Sequence, residues 1–200
     1  HKKYKDYCPD IAVLAYPATE GWGVTSTDLK PKATTNINGL DPQKLVLGIT
    51  SQVLTEGWVQ YEFENPFTCR SIYVSPSPAQ GFQLHRMEVH VSDDGKSFRS
   101  LGRLEVPWHG WQDGGVGGTY SIENVTARFF RFIFNKTGMP APTVNMQGSI
   151  GAQRSDNFRA DHIELSSSAR INVWDGKAGY RWRRAPWTVD SHVPDSSAVP

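Results

Sequence analysis

The sequence lacks a long apolar run, a marked charge imbalance and more than a trace of cysteine. No apolar stretch approaches the roughly 20 residues that a membrane-spanning helix needs, so no such helix is predicted. The 21 basic residues nearly balance the 20 acidic ones, and the formal net charge is +1. This charge distribution gives no electrostatic footprint for nucleic acid or for an anionic membrane surface. We therefore expect neither nucleic acid nor a membrane as a partner.

Two cysteines, Cys8 and Cys69, stand in a chain of 200 residues. They are too few to form the disulfide framework of a small stapled domain, and a chain of this length buries a core without one. The two residues fit either one bridge in an oxidising compartment or two buried thiols, and the sequence leaves both open. The length predicts one domain, with or without trailing segments.

Aromatic residues, by contrast, make up 12% of the chain and include seven tryptophans. Aromatic rings bury a large area each, so we expect most of them to fill a core. The remainder are candidates for stacking on the apolar faces of sugars. The chain begins at His1 without a methionine, and we expect it to be a mature product or a piece of a longer protein.

Short runs of strand character recur along the chain, and no apolar pattern at helical spacing lasts for three turns. Between residues 83 and 91 the side chains alternate, with Met87, Val89 and Val91 on one face, as in a strand that covers a core. These patterns predict an all-β fold. The runs interpreted as strands are residues 11–16, 45–49, 58–63, 69–75, 83–91, 98–104, 119–122, 128–134, 162–165 and 169–174, with a turn at 64–66.

Three segments carry a resemblance to a known family. They are the Trp-led strand at 58–63, the Asp-Gly hairpin at 91–98 and the Ala-Arg-aromatic-x-Arg strand at 127–134. In this order they resemble discoidin-type, galactose-binding-like carbohydrate-binding modules over residues 38–165. The resemblance implies an antiparallel β-sandwich of jelly-roll type with irregular N- and C-terminal extensions.

The ends of the chain carry a narrower resemblance. Residues 10–17 and 163–180 are similar to segments that flank the β-sandwich inserted in α-L-rhamnosidases of glycoside hydrolase family 106. This implies a monomeric, non-catalytic module whose partners are a carbohydrate and the catalytic domain of a secreted, extracellular or periplasmic parent enzyme. The division that we predict is an N-terminal extension at 1–37, the sandwich at 38–180, and a tail or linker at 181–200.

A stretch rich in glycine, residues 107–118, is the best candidate for a binding loop. It holds five glycines and two tryptophans among polar residues, which does not suit a central strand. A ring in such a loop is free to stack on a sugar while neighbouring polar groups bond its hydroxyls. The competing interpretation is that one ring folds back as a lid on the sandwich. The residues expected to bind sugar are Trp108, His109, Trp111, Gln112, Asp113 and, as a second position, Trp22.

Two other functions fit the sequence. A structural module that only braces a catalytic domain would share the same sandwich residues, because fold does not determine function. Its docking surface is then expected at Trp174, Arg181, Trp182, Arg183, Arg184 and Trp187.

The other alternative is an enzyme, either a glycosidase or a jelly-roll polysaccharide lyase. A glycosidase needs two carboxylates across a sugar, and no spacing in the chain selects such a pair. A lyase base could be sought among His85, His90 and Tyr120, with Arg86 beside them. Strand alternation opposes this, because His85 shares a face with Met87, whereas Arg86 and His90 take the other. We expect no catalysis by this chain alone.

The family resemblance also implies a structural calcium ion, bound by backbone carbonyls, an Asp before the Trp-led strand and a Glu before the last strand. Asp41 matches the first carboxylate. His162 stands where the Glu is expected, and imidazole is a poor ligand for a hard cation. No cofactor is predicted, and Asp41 is the single metal-ligand candidate.

Overall fold

The computed structural model describes residues 21–76, 86–104, 117–138 and 158–171. Within these ranges, short helices accompany a set of antiparallel strands. No helix among them is long and apolar enough to cross a membrane. In chain order the elements are α1 Ser26–Leu29, β1 Lys32–Thr35, α2 Pro42–Leu47, β2 Gln52–Leu54, β3 Gly57–Pro76, β4 Glu88–Ser92, β5 Arg99–Arg103, β6 Gly118–Phe134, a 3-10 turn at Lys136–Gly138, and β7 Phe158–Ser166.

Two long strands, β3 and β6, build the sandwich by running through both of its sheets. The first part of β3 lies between β1 and β6, and its last part lies between β7 and β6. One sheet therefore has the order β1-β3-β6-β4-β5 and the other β2-β7-β3-β6. The strand pairing shifts register between Glu62 and Phe67, where β3 passes from one sheet to the other.

The turn predicted at 64–66 is wrong, because β3 continues through it as one strand. Pro66 lies inside the register shift, where no residue of β3 pairs with β6. Its missing N–H therefore costs no ladder hydrogen bond, and the proline marks an irregularity rather than an end.

A core of aromatic and branched side chains fills the space between the sheets. Tyr61 on β3 is fully buried, and its hydroxyl donates to the carbonyl of Ile163 on β7 at 3.0 Å. Phe63 and Phe67 stack with ring centroids 4.6 Å apart, and both meet Phe130 edge-on. The side chains of one sheet thus face those of the other, and the predicted antiparallel β-sandwich is confirmed.

The alternation predicted for residues 83–91 is confirmed in β4. Met87, Val89 and Val91 are buried, whereas Glu88 and His90 are half-buried on the outer face. β4 then turns back into β5, with which it pairs antiparallel.

The strand predicted at 45–49 is wrong, because most of this run lies in helix α2. Asp41 is the N-cap and accepts a hydrogen bond from the backbone N–H of Gln43 at 3.2 Å, and Pro42 opens the helix. Gly48 ends it in the left-handed conformation. These start and stop signals determine the local structure; Leu45 and Val46 are buried, whereas Ile49, after the helix, is exposed.

The strand predicted at 169–174 does not form in its described part, residues 169–171. Beyond β7, side chains of β3 bond the backbone carbonyls that a neighbouring strand would otherwise bond. Arg70 Nη1 donates to the Ser167 carbonyl at 2.9 Å, and Ser71 Oγ donates to the Ser168 carbonyl at 2.8 Å. Such side-chain bonds to the backbone compete with strand pairing and end the strand.

The hairpin between β4 and β5 should make stability depend on pH. Asp94 Oδ1 accepts hydrogen bonds from Lys96 N at 2.7 Å, Ser97 N at 2.8 Å and Ser92 Oγ at 2.9 Å. These bonds, led by those to the backbone, hold the pKa of Asp94 well below its ordinary value. A carboxyl with a lowered folded pKa stabilises the fold above its unfolded pKa, and that contribution is lost as the pH falls. The hairpin contribution should therefore decline from about pH 5 downwards.

Urea unfolding between pH 7 and pH 3 measures this effect in the wild type and in Asp94→Asn. The neighbouring Asp93→Asn is the matched control, because Asp93 accepts none of the three bonds. Asp94→Asn should flatten the pH dependence and Asp93→Asn should leave it unchanged. Equal slopes in all three proteins would contradict the assignment.

Candidate functional site

Several strand ends meet at one end of the sandwich and are tied together by backbone hydrogen bonds. Arg86, just before β4, donates its N–H to the carbonyl of Gly138, just after β6, at 2.8 Å. Leu104, just after β5, donates to the carbonyl of Met87 at 2.9 Å. The segments that follow Leu104 and Gly138, and the one that precedes Arg86, therefore attach to the sandwich side by side.

The side chain of Arg103 braces these attachment points. Its Nη1 donates to the Arg86 carbonyl at 3.1 Å, and its Nη2 donates to Thr137 Oγ1 at 2.9 Å. Glu88 Oε2 lies 3.6 Å from Nη2 and supplies the opposite charge. Because one guanidinium offers five donors in a fixed plane, it holds several chain segments at once. We call these residues and Leu104 the braced end.

Of the glycine-rich stretch, Gly117 and Gly118 lie within the described residues. A Cβ added to Gly117 would lie 2.5 Å from ring atoms of Tyr73, and one added to Gly118 would lie 2.7 Å from the Tyr120 hydroxyl. Gly118 is the first residue of β6. Two of the five glycines are thus required by close packing against tyrosine rings.

The structure separates the two predicted sugar-binding positions. Trp22 is half-buried, and the carbonyl of its neighbour Gly21 accepts a hydrogen bond from Ser167 Oγ at 2.6 Å. Trp22 therefore lies near Ser167, just beyond the C-terminal end of β7. Phe158 begins β7 at the opposite end, where its ring stacks on Phe134 near the braced end. At a rise of roughly 3.3 Å per residue the two ends of β7 are about 26 Å apart. Trp22 is therefore remote from the braced end. The other predicted residues lie outside the described ranges: Trp108, His109, Trp111, Gln112 and Asp113.

A stack of planar groups on the outer face of the first sheet was not foreseen from the sequence. The guanidinium of Arg131 lies 3.7 Å from the centroid of Phe98 and 4.6 Å from that of Trp58. Its Nε and Nη2 donate to Gln60 Oε1 at 3.0 and 2.7 Å. Burial lowers the pKa of Arg131. The stack joins three strand segments that carry the family resemblance, which explains why these residue types occur together.

The residues considered for a lyase are not assembled into a site. The His90 imidazole lies 2.9 Å from Glu88 Oε1, and hydrogen bonds from His90 and then Ser100 lower the pKa of Glu88. Tyr120 is buried in the core, whereas His90 is on the outer face of the sandwich. His85 lies outside the described residues. His90 and Tyr120 therefore do not face one substrate.

No protein-family model and no curated protein matches the sequence. Solved structures do. A rhamnosidase from Novosphingobium sp. PP1Y aligns with a TM-score of 0.52 at 21% identity, over 82% of this chain and 14% of the rhamnosidase. A pectin-binding carbohydrate-binding module aligns at 0.48 and 18% identity, over 69% of this chain and 91% of the module. A family 32 module from Clostridium perfringens, in complex with GalNAc-β-1,3-galactose, aligns at 0.48 and 15% identity, over 72% and 99%.

The chain has the galactose-binding-like fold. The rhamnosidase alignment and the strand order reported above both lead to this conclusion. At this identity the likeness concerns the fold, and the chain spans a small part of the rhamnosidase.

The galactose-binding-like resemblance implied calcium ligands at Asp41 and near His162, and the structure places these residues apart. Asp41 caps the N-terminus of α2 and lies 3.7 Å from Lys44 Nζ. The His162 ring lies against Gly48 at the other end of α2. Six helical residues separate the two positions.

Proposed function

We propose that this chain is a non-catalytic carbohydrate-binding module of a larger glycoside hydrolase. The observation that supports the proposal is the braced end of a galactose-binding-like sandwich, where Arg103, four residues before the glycine-rich stretch begins in sequence, is held by Arg86 and Thr137. A loop with fixed anchors loses less conformational entropy on binding than one with free anchors. Trp108 and Trp111 stack on the sugar, and His109, Gln112 and Asp113 bond its hydroxyls.

The finer proposal concerns the ligand and the parent enzyme. The fold aligns with a segment of a rhamnosidase, and the ends of this chain resemble segments that flank the sandwich of α-L-rhamnosidases. We therefore propose an α-L-rhamnosidase-like parent that is extracellular or periplasmic, and rhamnose-containing or plant-type glycans as ligands. The catalytic domain of that parent is the second partner.

Glycan titration tests the proposal. Isothermal calorimetry and tryptophan fluorescence follow rhamnose, galactose and a panel of plant polysaccharides added to the wild type, Trp108→Ala and Trp111→Ala. Loss of a stacked ring should weaken saturable binding by about tenfold or more, equivalent to about 1.4 kcal/mol. Trp22→Ala is the matched control, because Trp22 lies remote from the braced end.

Two outcomes would contradict this assignment. Binding lost in Trp22→Ala and kept in the other two variants would move the site to the opposite end of β7. No saturable response from a folded wild type would favour the second candidate, a module that braces a catalytic domain. That candidate is supported by the alignment, in which the matched segment is 14% of a much longer enzyme.

A further inference from the structure

A small polar cluster joins α1, α2 and β7 on the outer face of the second sheet. Thr27 Oγ1 lies 3.2 Å from the Val46 carbonyl, 3.1 Å from His162 Nε2 and 3.4 Å from Glu164 Oε2. A hydroxyl has one proton to donate and lone pairs that accept. Thr27 Oγ1 and His162 Nε2 share a hydrogen bond whose donor is set by the tautomer of the imidazole, and the Val46 carbonyl is a second acceptor within reach of the hydroxyl. One side chain thus connects three elements.

This cluster contains His162, which stands where the family resemblance places one carboxylate ligand of a calcium ion. Asp41, which matches the other carboxylate ligand, lies outside the cluster. A Cβ added to Gly48 would lie 3.2 Å from His162 Cγ, so the imidazole packs on the C-terminal cap of α2. Asp41 is the N-terminal cap. From Asp41 to Gly48 the helix rises by about 10 Å, at 1.5 Å per residue. The carboxylate of Asp41 has its partners at its own end of α2: Oδ1 accepts from Gln43 N at 3.2 Å, and Oδ2 lies 3.7 Å from Lys44 Nζ.

The donor atoms of the cluster do not fit calcium either. Calcium takes about six to eight oxygen ligands, with carboxylates prominent among them. Thr27 has one carboxylate beside it, that of Glu164, whose Oε1 is already paired with Arg170 Nη2 at 3.2 Å. Across the described part of the chain, no group of three or more His, Cys, Asp or Glu side chains is placed to hold a metal ion.

We infer that the Thr27–His162 hydrogen bond fastens this junction in place of the calcium ion that the fold family implies, and that the sandwich folds without calcium. Another hydrogen bond holds the same junction, because Ser26 Oγ accepts from Leu165 N at 3.0 Å. α1 is thus tied to β7 at two adjacent residues, Ser26 and Thr27.

The first test is thermal unfolding of the whole chain, by circular dichroism, in EDTA and in millimolar calcium chloride. The melting temperature should agree within about 1 °C, because a ligand that does not bind the native state cannot stabilise it. A saturable rise with calcium concentration would overturn the inference. Millimolar magnesium chloride controls for ionic strength.

The second test removes the hydrogen bond. Thr27→Val keeps the shape of the side chain but leaves the Val46 carbonyl and His162 Nε2 without this partner, and should lower the melting temperature by about 3–6 °C. Thr34→Val, on a half-buried threonine of β1, should change it by no more than about 2 °C. His162→Phe keeps a ring and should give no further loss in the Thr27→Val background, because both changes break the same bond.

A Thr27→Val protein that melts like the wild type would overturn the inference. So would a loss of stability in the variant that added calcium restores. Fully additive losses in the double variant would show that the two residues act separately, which also contradicts it.

Discussion

The thiol of Cys69 should remain unmodified by thiol reagents for as long as the sandwich is folded. Cys69 lies on β3 with no exposed surface, and its Sγ donates to the Ser71 carbonyl at 3.3 Å. Burial raises its pKa from 9.0 to about 12. Because the thiolate is the nucleophile, three pKa units reduce the reactive fraction near neutral pH by about a thousandfold. Burial excludes the reagent as well, so we expect labelling to occur through unfolding.

A Cys8→Ser variant isolates this reaction, because Cys69 is then the single thiol of the chain. Its labelling by a disulfide reagent at pH 8 should be at least about a thousandfold slower in buffer than in concentrated urea. The reciprocal Cys69→Ser variant reports the reactivity of Cys8 under the same conditions. Labelling of native Cys8→Ser at the rate of a small free thiol would contradict the burial.

The two thiols also bear on a question that the sequence left open. Cys69 is a free, buried cysteine in the structure, whereas Cys8 lies outside the described residues. Within the described residues Cys69 has no disulfide partner, which agrees with the alternative of two free thiols. Intact-mass measurement after alkylation in urea without reductant should therefore find Cys69 modified.

Strands were predictable from sequence where side-chain alternation and turn chemistry agree. In β4, the buried set of Met87, Val89 and Val91 follows from period two, and Asp94 in the next turn supplies the hairpin signal. Helix α2 was missed because an apolar run of a few residues fits a strand or a buried helix equally well. The deciding signals were the caps, Asp41 with Pro42 before the run and Gly48 within it.

The irregular parts of the sandwich could not be read from local sequence. Pro66 marks a turn in most contexts, and only the pairing of β3 with β6 on both sides of it shows that the strand continues. The absence of the predicted strand at residues 169–171 likewise goes with distant contacts, since Arg70 and Ser71, about a hundred residues away in sequence, bond the carbonyls of Ser167 and Ser168. Tertiary contacts, rather than propensity, decide both.

Some features of the candidate site could likewise be predicted from the sequence, and others depend on tertiary contacts. The glycine-rich stretch was visible by composition, but the reason for Gly117 is the ring of Tyr73, which is distant in sequence. Arg103 gave no local signal, because its partners Arg86, Glu88 and Thr137 come from two other segments of the chain. The stack of Trp58, Phe98 and Arg131 was not foreseen, although each residue lies in a segment that carries the family resemblance, because the contact depends on how β3 pairs with β6.

Replacing Phe130 by alanine should cost the sandwich more stability than replacing its neighbour Phe129. Phe130 has no exposed surface and meets Phe63 and Phe67 between the sheets. Burial losses and the resulting cavity make a fully buried Phe→Ala change cost about 3–5 kcal/mol. Phe129 points to the other face, is 8% exposed and packs near Gly95. We expect Phe129→Ala to cost about 1–2 kcal/mol.

Urea unfolding of the two variants measures the difference, with similar m-values expected if both unfold in two states. A total stability of about 5–15 kcal/mol leaves Phe130→Ala close to the limit of folding, so Phe130→Leu, with an expected cost of about 1–2 kcal/mol, provides a folded comparison. The order of the two positions tests the register of β6, because a slip by one residue would place Phe129 in the core and Phe130 outside. A larger loss at position 129 than at 130 would therefore contradict the pairing of β6 with β3 as well as the packing of the core.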